Sequence, residues 1–180
     1  MENNIALTDV KTLRERARRD IEAGAITQAY AANRNTVVEL LNEALATELV
    51  CVLRYKRHYF TANGIHSEGV AAEFAEHATQ EMQHADMIAA RIIQLGGEPD
   101  FCPDRLSQHS HAEYNESKVL SEMIKENLIA ERIAIDSYRE MINFVGTDDS
   151  TTRRMLEEIL AVEEEHAEDL ASLLDNFKIN

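Results

Sequence analysis

The sequence predicts an all-α fold: four long helices packed as a bundle, paired by two short turns and linked by one long crossover. Three observations predict it. Both prolines, Pro99 and Pro103, fall in one short stretch, and the six glycines gather at a few points. Between those points the chain runs for about 25 to 30 residues without Gly or Pro, the strongest local breakers. No segment shows the period-two alternation of a half-buried strand.

The elements follow in order. A short amphipathic helix is expected over 8–28. The first long helix is expected over 35–62, with Thr36 and Glu39 spaced as a capping box and Asn63-Gly64 as its stop. The second runs over 67–95 and ends at Gly96-Gly97, with Pro99 beyond. A non-helical crossover is expected over 97–110. The third helix is expected over 111–145, with Ser110 and Glu113 as a second capping box and Gly146 as its stop. The fourth is expected over 149–177, entered through Thr147-Asp148-Asp149. A 30-residue helix is about 45 Å long. Two short joints and one bundle-length connection between the second and third helices therefore describe the topology. Residues 1–34 form an extension, and 35–180 form the bundle.

Composition narrows the function. At 180 residues, with 44% hydrophobic and 28% charged residues, the chain suits one globular domain. A formal net charge of −15 argues against general affinity for nucleic acid and suits a protein that attracts cations. No apolar run approaches the roughly 18 residues of a membrane span. The N-terminus lacks the apolar stretch of a secretory signal, so a cytoplasmic location is expected. Cys51 and Cys102 stand 51 residues apart with no CxxC pair, which argues against a structural disulfide and a cysteine-rich zinc site.

Charged residues stand where a core should be. The fourth helix has an apolar stripe of Leu156, Ile159 and Leu160, then Leu170, Leu173, Leu174 and Phe177. The intervening heptad positions are Glu163 and His166. On the second helix Phe74, Glu81, Ile88 and Leu95 recur every seven residues, with His84 one turn from Glu81. Leu41, Glu48 and Tyr55 share a row on the first helix, and Ile124, Glu131 and Tyr138 share one on the third. Six ionisable groups thus point inward, at several kcal/mol each if buried unpaired. Metal ions would compensate them.

The spacing repeats. Glu48 precedes Glu81 by 33 residues, and Glu131 precedes Glu163 by 32. Each second Glu opens a Glu-x-x-His-Ala-acid motif, EMQHAD at 81–86 and EEEHAE at 163–168. Glu and His at i and i+3 share a helical face and can reach one ion. The two helix pairs would therefore each deliver half of a dinuclear site, oxygen-rich with two imidazoles, suited to iron or manganese.

With those motifs in place, the chain resembles the bacterioferritins of the ferritin-like superfamily over 36–175. ELLNEALATELVCVLRYKRHY is similar to that family's first bundle helix and EMQHADMIAARIIQLGGEPDF to its second, including the Met after the Glu. The resemblance implies a ferritin-like bundle. It also implies ferroxidase chemistry: two iron ions per chain, Fe²⁺ oxidised by O₂ or H₂O₂, and ferric mineral stored in a homo-oligomeric shell built from dimers. Glu48 with His84 and Glu131 with His166 would be terminal ligands, and Glu81 and Glu163 would bridge. Tyr55 would support a ligand carboxylate or serve as a core aromatic. Met82 would ligate haem b at a two-fold interface or serve there as an apolar contact.

Only 14 residues follow His166, fewer than the fifth helix of a 24-subunit shell needs, so a 12-subunit shell of the Dps-like kind or a dimer stays open beside the 24-mer. Alternatives to storage are a non-storage peroxidase or catalase and a DNA-protecting shell. Cys51 is expected in the core. His109, His111 and Cys102 are expected in the crossover, and His77 at the edge of the site. Tyr138 leans towards a core role, and His58 and His66 give no functional signal.

Overall fold

The structure, a computed structural model, describes residues 7–178, with side chains through Asp175. Residues 1–6 of the N-terminal extension and the Phe177 side chain of the fourth stripe lie outside the described residues. The helices are α1 (Val10–Arg16), α2 (Arg34–Thr61), α3 (Ser67–Gln94), α4 (Pro103–His109), α5 (Leu120–Val145) and α6 (Ser150–Lys178), with a 3-10 turn at Ile21–Ala23. Four of them form the expected bundle, with α2 packed on α3 and α5 on α6.

The ends of the long helices follow local chemistry. The Asn33 side chain accepts from the Thr36 backbone N–H at 3.3 Å and starts α2, so Asn33 is the cap rather than Thr36. Asp149 accepts from the Thr152 N–H at 2.9 Å and starts α6. Gly96, at φ 74°, turns the chain after α3, and the Gly97 N–H closes on Ile92 O at 2.9 Å. A Cβ on Gly97 would lie 2.6 Å from Val38 Cγ1, so only glycine lets the chain leave α3 this close to α2.

Three expected elements differ. The N-terminal helix reaches only Arg16; none of its residues is buried, so no packing sustains the amphipathic stripe, and Asp20 turns left-handed at φ 49°. The crossover contains α4, whose first residue is Pro103, where a missing N–H costs nothing. Ser110 caps the end of α4 instead of starting α5, which begins nine residues later than expected, at Leu120.

The reason is tertiary. Polar side chains of α2 hold the crossover backbone along the bundle. Asn42 donates to Glu98 O and accepts from the Asp100 N–H, at 3.2 and 2.8 Å. Thr47 accepts from the His111 N–H at 2.9 Å, Arg54 donates to Glu113 O at 2.9 Å, and Arg57 donates to Ser117 O at 3.2 Å. The connection therefore descends from the start of α2 to its end, and its backbone bonds go to side chains rather than to a helix.

The N-terminal segment is pinned at the opposite end. Tyr30 donates to Asp149 at 2.9 Å, and Asp149 also takes two bonds from the buried Arg91 at 2.8 and 2.9 Å. Burial and this bond to Asp149 push the Tyr30 phenol up to about 12.

Two apolar clusters fill the bundle. One gathers Leu41, Leu45, Ile88, Ile92, Met141 and Leu156 with their neighbours, and the other Tyr55, Phe74, Met123, Ile124 and Leu170 with theirs. On every long helix the chain passes from one cluster to the other through a polar layer.

Candidate metal centre

The layer between the clusters consists of Glu48 from α2, Glu81 and His84 from α3, Glu131 from α5, and Glu163 and His166 from α6. All six are 5% exposed or less. The heptad arithmetic explains why: each stands where its helix would otherwise supply a core side chain.

Their ligand atoms form two groups that share members. Glu48, Glu81, His84 and Glu163 each bring one atom within 4.8 Å of the others, and so do Glu81, Glu131, Glu163 and His166. Glu81 and Glu163 belong to both. Each group also has one Glu and one His of its own side, the division that the internal repeat suggests.

The atoms facing inward are bare. Glu48 Oε2, Glu81 Oε1, Glu131 Oε2, both Glu163 oxygens, His84 Nδ1 and His166 Nδ1 are buried and have no hydrogen-bond partner. Such groups are rare in folded interiors because each loses its hydration without replacement. His84 Nδ1 lies 2.8 Å from Glu163 Oε1, 3.3 Å from Glu48 Oε2 and 3.5 Å from Glu81 Oε2. His166 Nδ1 lies 3.7 Å from Glu81 and 3.8 Å from Glu163.

Electrostatics report the same crowding. Burial, then the Glu81 charge, lifts Glu48 well above the carboxylate range. Burial and the neighbouring carboxylates do the same to Glu163, and burial with Glu81 raises Glu131. Burial would also raise Glu81, but its close contacts with Glu48, His166 and His84 outweigh it and hold Glu81 low. Burial would lower His84, yet Glu48 and Glu81 lift it to about 10. Four carboxylates cannot all ionise here without cations.

The outer partners are specific. Tyr55 donates to Glu131 Oε1, and Tyr138 donates to Glu48 Oε1. The two tyrosines exchange sides, each bonding the carboxylate of the opposite helix. The expectation that Tyr138 is core packing is therefore incomplete: it packs in the core and also bonds the site. His166 Nε2 lies 2.8 Å from Gln80 Oε1, an acceptor, so Nε2 carries the proton and Nδ1 is left bare towards the site.

Sequence reasoning did not find Gln80, whose role depends on a contact between α3 and α6. It also did not find Arg54, buried and bonded to Asn127 Oδ1 at 2.9 Å, with Asn127 in turn 3.1 Å from His58 Nδ1. Burial and then the Arg54 charge lower His58 to about 4. His77 borders the site: it is buried, and its ring stacks on His166 at 3.9 Å.

The remaining candidates scatter. Cys51 is buried, 3.6 Å from Arg54 Nη2, and Cys102 precedes α4; both are free. His109 ends α4, and His111 bonds Ser137 at 2.9 Å. Met82 faces outward at 41% exposure.

Fold and cluster together define a class of protein, the helical bundle with a carboxylate–imidazole layer set across its core. The chain belongs to the ferritin-like domain family, which matches residues 38–179. The bacterioferritin of Brucella melitensis biotype 1 is 32% identical over 145 residues, 77% of this chain and 83% of that one. A nutrient stress-induced DNA-binding protein of Synechococcus is 30% identical over 148 residues, 79% and 84% of the two chains. Among solved structures, the bacterioferritin-related protein from Bacteroides fragilis, described as a dodecameric thioferritin, superposes with a TM-score of 0.79. It is 33% identical, with 82% of this chain and 89% of that one covered. No helix among the described residues is long and apolar enough to cross a membrane.

Proposed function

We propose that this chain is a ferroxidase that stores iron, oxidising Fe²⁺ inside the bundle and keeping the ferric product in a homo-oligomeric shell. One observation carries the reading: the bare, buried atoms fall into two groups that share Glu81 and Glu163. Glu48 with His84 would hold one ion, Glu131 with His166 the other, and Glu81 and Glu163 would span both. Two divalent ions balance four carboxylates. Each Fe²⁺ gives one electron to O₂ or H₂O₂. Tyr55 and Tyr138 hold the terminal carboxylates in place, and Gln80 keeps the His166 proton on the far nitrogen. Manganese fits the same donors.

The test is Fe²⁺ addition to metal-free protein under O₂. A fast oxidation phase ends near two irons per chain and disappears in Glu81→Ala and Glu163→Ala; its persistence in both sinks the reading. Uptake of hundreds of irons per particle marks storage, and saturation at two marks a peroxidase- or catalase-type enzyme.

Likeness to a dodecameric structure supports a shell of twelve over one of 24 or a dimer. Gel filtration separates the three. The DNA-binding relative keeps a protective shell in view, against which the net charge of −15 weighs. Salt-sensitive retention of duplex DNA would favour it. Met82 offers one thioether, so haem would need Met82 of a second copy, and a Soret band lost in Met82→Ala would show it. We also place the protein in the cytoplasm and treat 1–34 as an extension to the 35–180 bundle.

A further inference from the structure

Arg54, on α2, is a buried cation with no anion bonded to it. It is 2% exposed, and its donors go to neutral acceptors. Nε donates to Asn127 Oδ1 at 2.9 Å, Nη1 to Glu113 O at 2.9 Å and Nη2 to Cys51 Sγ at 3.6 Å. None of the three is a carboxylate. Asn127 stands where an aspartate of nearly the same shape would supply the missing charge, and a buried charge without a counter-ion is costly.

The countercharge lies further off. Of the groups whose charge reaches Arg54, burial pushes the Cys51 thiol and the Tyr55 phenol well up and keeps both neutral, which leaves Glu131 and Glu81. His58, held at about 4 by burial and by Arg54 itself, is neutral as well. The guanidinium carbon sits 6.0 Å from the Tyr55 ring centroid, and Tyr55 donates to Glu131. The carboxylate layer is therefore what balances Arg54. Metal ions that bind the layer cancel the same negative charge, so Arg54 and the ions compete for it. Coulomb repulsion grows with the charge of the ion and is half as large again for Fe³⁺ as for Fe²⁺ at one position.

We propose that the Arg54 charge weakens the layer's hold on its ions, and on trivalent ions most, so that oxidised iron leaves the bundle for the store. Arg54 bonds none of the six ligands; it acts through space on Glu131 and Glu81. This role rests on the dinuclear reading of the site.

The test measures Co²⁺ and Tb³⁺ binding to the full-length metal-free protein, by competition with a chelator of known affinity. Arg54→Met is expected to tighten Co²⁺ by roughly tenfold and Tb³⁺ by roughly thirty-fold, following the ratio of the ion charges. Arg54→Lys keeps the charge and should stay near the wild type for both ions. Asn127→Asp covers the case in which Arg54→Met fails to fold, because it keeps Arg54 and neutralises it in place. At about pH 7.5, above the ordinary imidazole value of about 6.5, His58 stays neutral and this variant should also tighten Tb³⁺ more than Co²⁺. In the variants that bind more tightly, a second portion of Fe²⁺ should oxidise several-fold more slowly than the first, because ferric ions stay in the layer. Unchanged affinities in Asn127→Asp, equal tightening of the two ions, or Arg54→Lys shifting as far as Arg54→Met would each overturn the proposal. A wild type that binds neither ion at the layer would instead overturn the dinuclear reading, so the two failures are distinguishable.

Discussion

Tyr138, on α5, donates its phenolic proton across the bundle to Glu48, on α2, and Tyr55 on α2 returns the same bond to Glu131 on α5. The two bonds tie the helix pairs together at the level of the site. They also leave only one oxygen of each terminal carboxylate free to face inward.

Removal of either phenol should therefore act on stability and on chemistry. Tyr138→Phe deprives a buried carboxylate of its donor, and the metal-free protein should lose about 1.5–3 kcal/mol in urea unfolding. Fe²⁺ oxidation should slow by roughly 10–100-fold, the usual cost of losing a ligand's outer partner. Tyr55→Phe should cost more, because His77 Nδ1 loses its partner as well. Equal effects from the two variants would show that His77 gains nothing from Tyr55.

Glu163 presents both oxygens unpartnered to its neighbours. In the metal-free protein Glu163→Gln removes one acid from an overcrowded layer and should raise stability by about 1 kcal/mol or more. The wild type should gain about 4 kcal/mol when Co²⁺ is supplied at about 1,000 times its Kd. The variant should lose most of that gain. A variant less stable than wild type without metal would mean that the Glu163 carboxylate is already well satisfied.

The pH dependence of the metal-free protein has two limbs of opposite sign. Glu48, Glu131 and Glu163 are raised in the fold, so the native state holds protons that the unfolded chain releases above about 4.5. Stability therefore falls as pH rises from there. His84, lifted to about 10, adds to this limb: its contribution is complete below about 6.5 and lost as pH rises through about 10. His58, lowered to about 4, and His77, lowered to about 3, act the other way, because the unfolded chain takes protons below about 6.5 that the native state refuses; Glu81, held low, adds to this limb below about 4.5. The limbs overlap between about 4.5 and 6.5, where thermal melts should show their maximum, and His58→Gln should make the acid limb shallower. Bound Co²⁺ should flatten the alkaline one.

Backbone space separates two glycines. Gly97→Ala drives a Cβ to 2.6 Å from Val38 Cγ1, a stiff β-branched neighbour, and should destabilise by about 1–3 kcal/mol. Gly69→Ala meets nothing within 4 Å in the first turn of α3 and should be neutral or stabilising by up to about 1 kcal/mol. Urea midpoints of the two variants check the contrast.

The four long helices and the six residues of the polar layer were legible because both depend on local periodicity. Helix ends obey Gly, Asn and Asp chemistry within a few residues, and a seven-residue step places Glu163 between Leu156 and Leu170 whatever surrounds the helix. Ser110 and Glu113 misled for the opposite reason. Their spacing suits a helix start, but Thr47, Arg54 and Arg57 take the crossover's backbone bonds, and α5 waits until Leu120.

By itself the sequence determined which faces of which helices carry acids and imidazoles, since face is a property of spacing along one chain segment. Only the tertiary structure decided which atoms meet: that Glu81 and Glu163 stand in both groups, that Gln80 orients His166, and that Tyr55 and Tyr138 trade carboxylates. Those contacts join residues 76 to 90 positions apart. They depend on how far one helix slides and rotates against another, which is set by packing across the whole bundle rather than by any local run of residues.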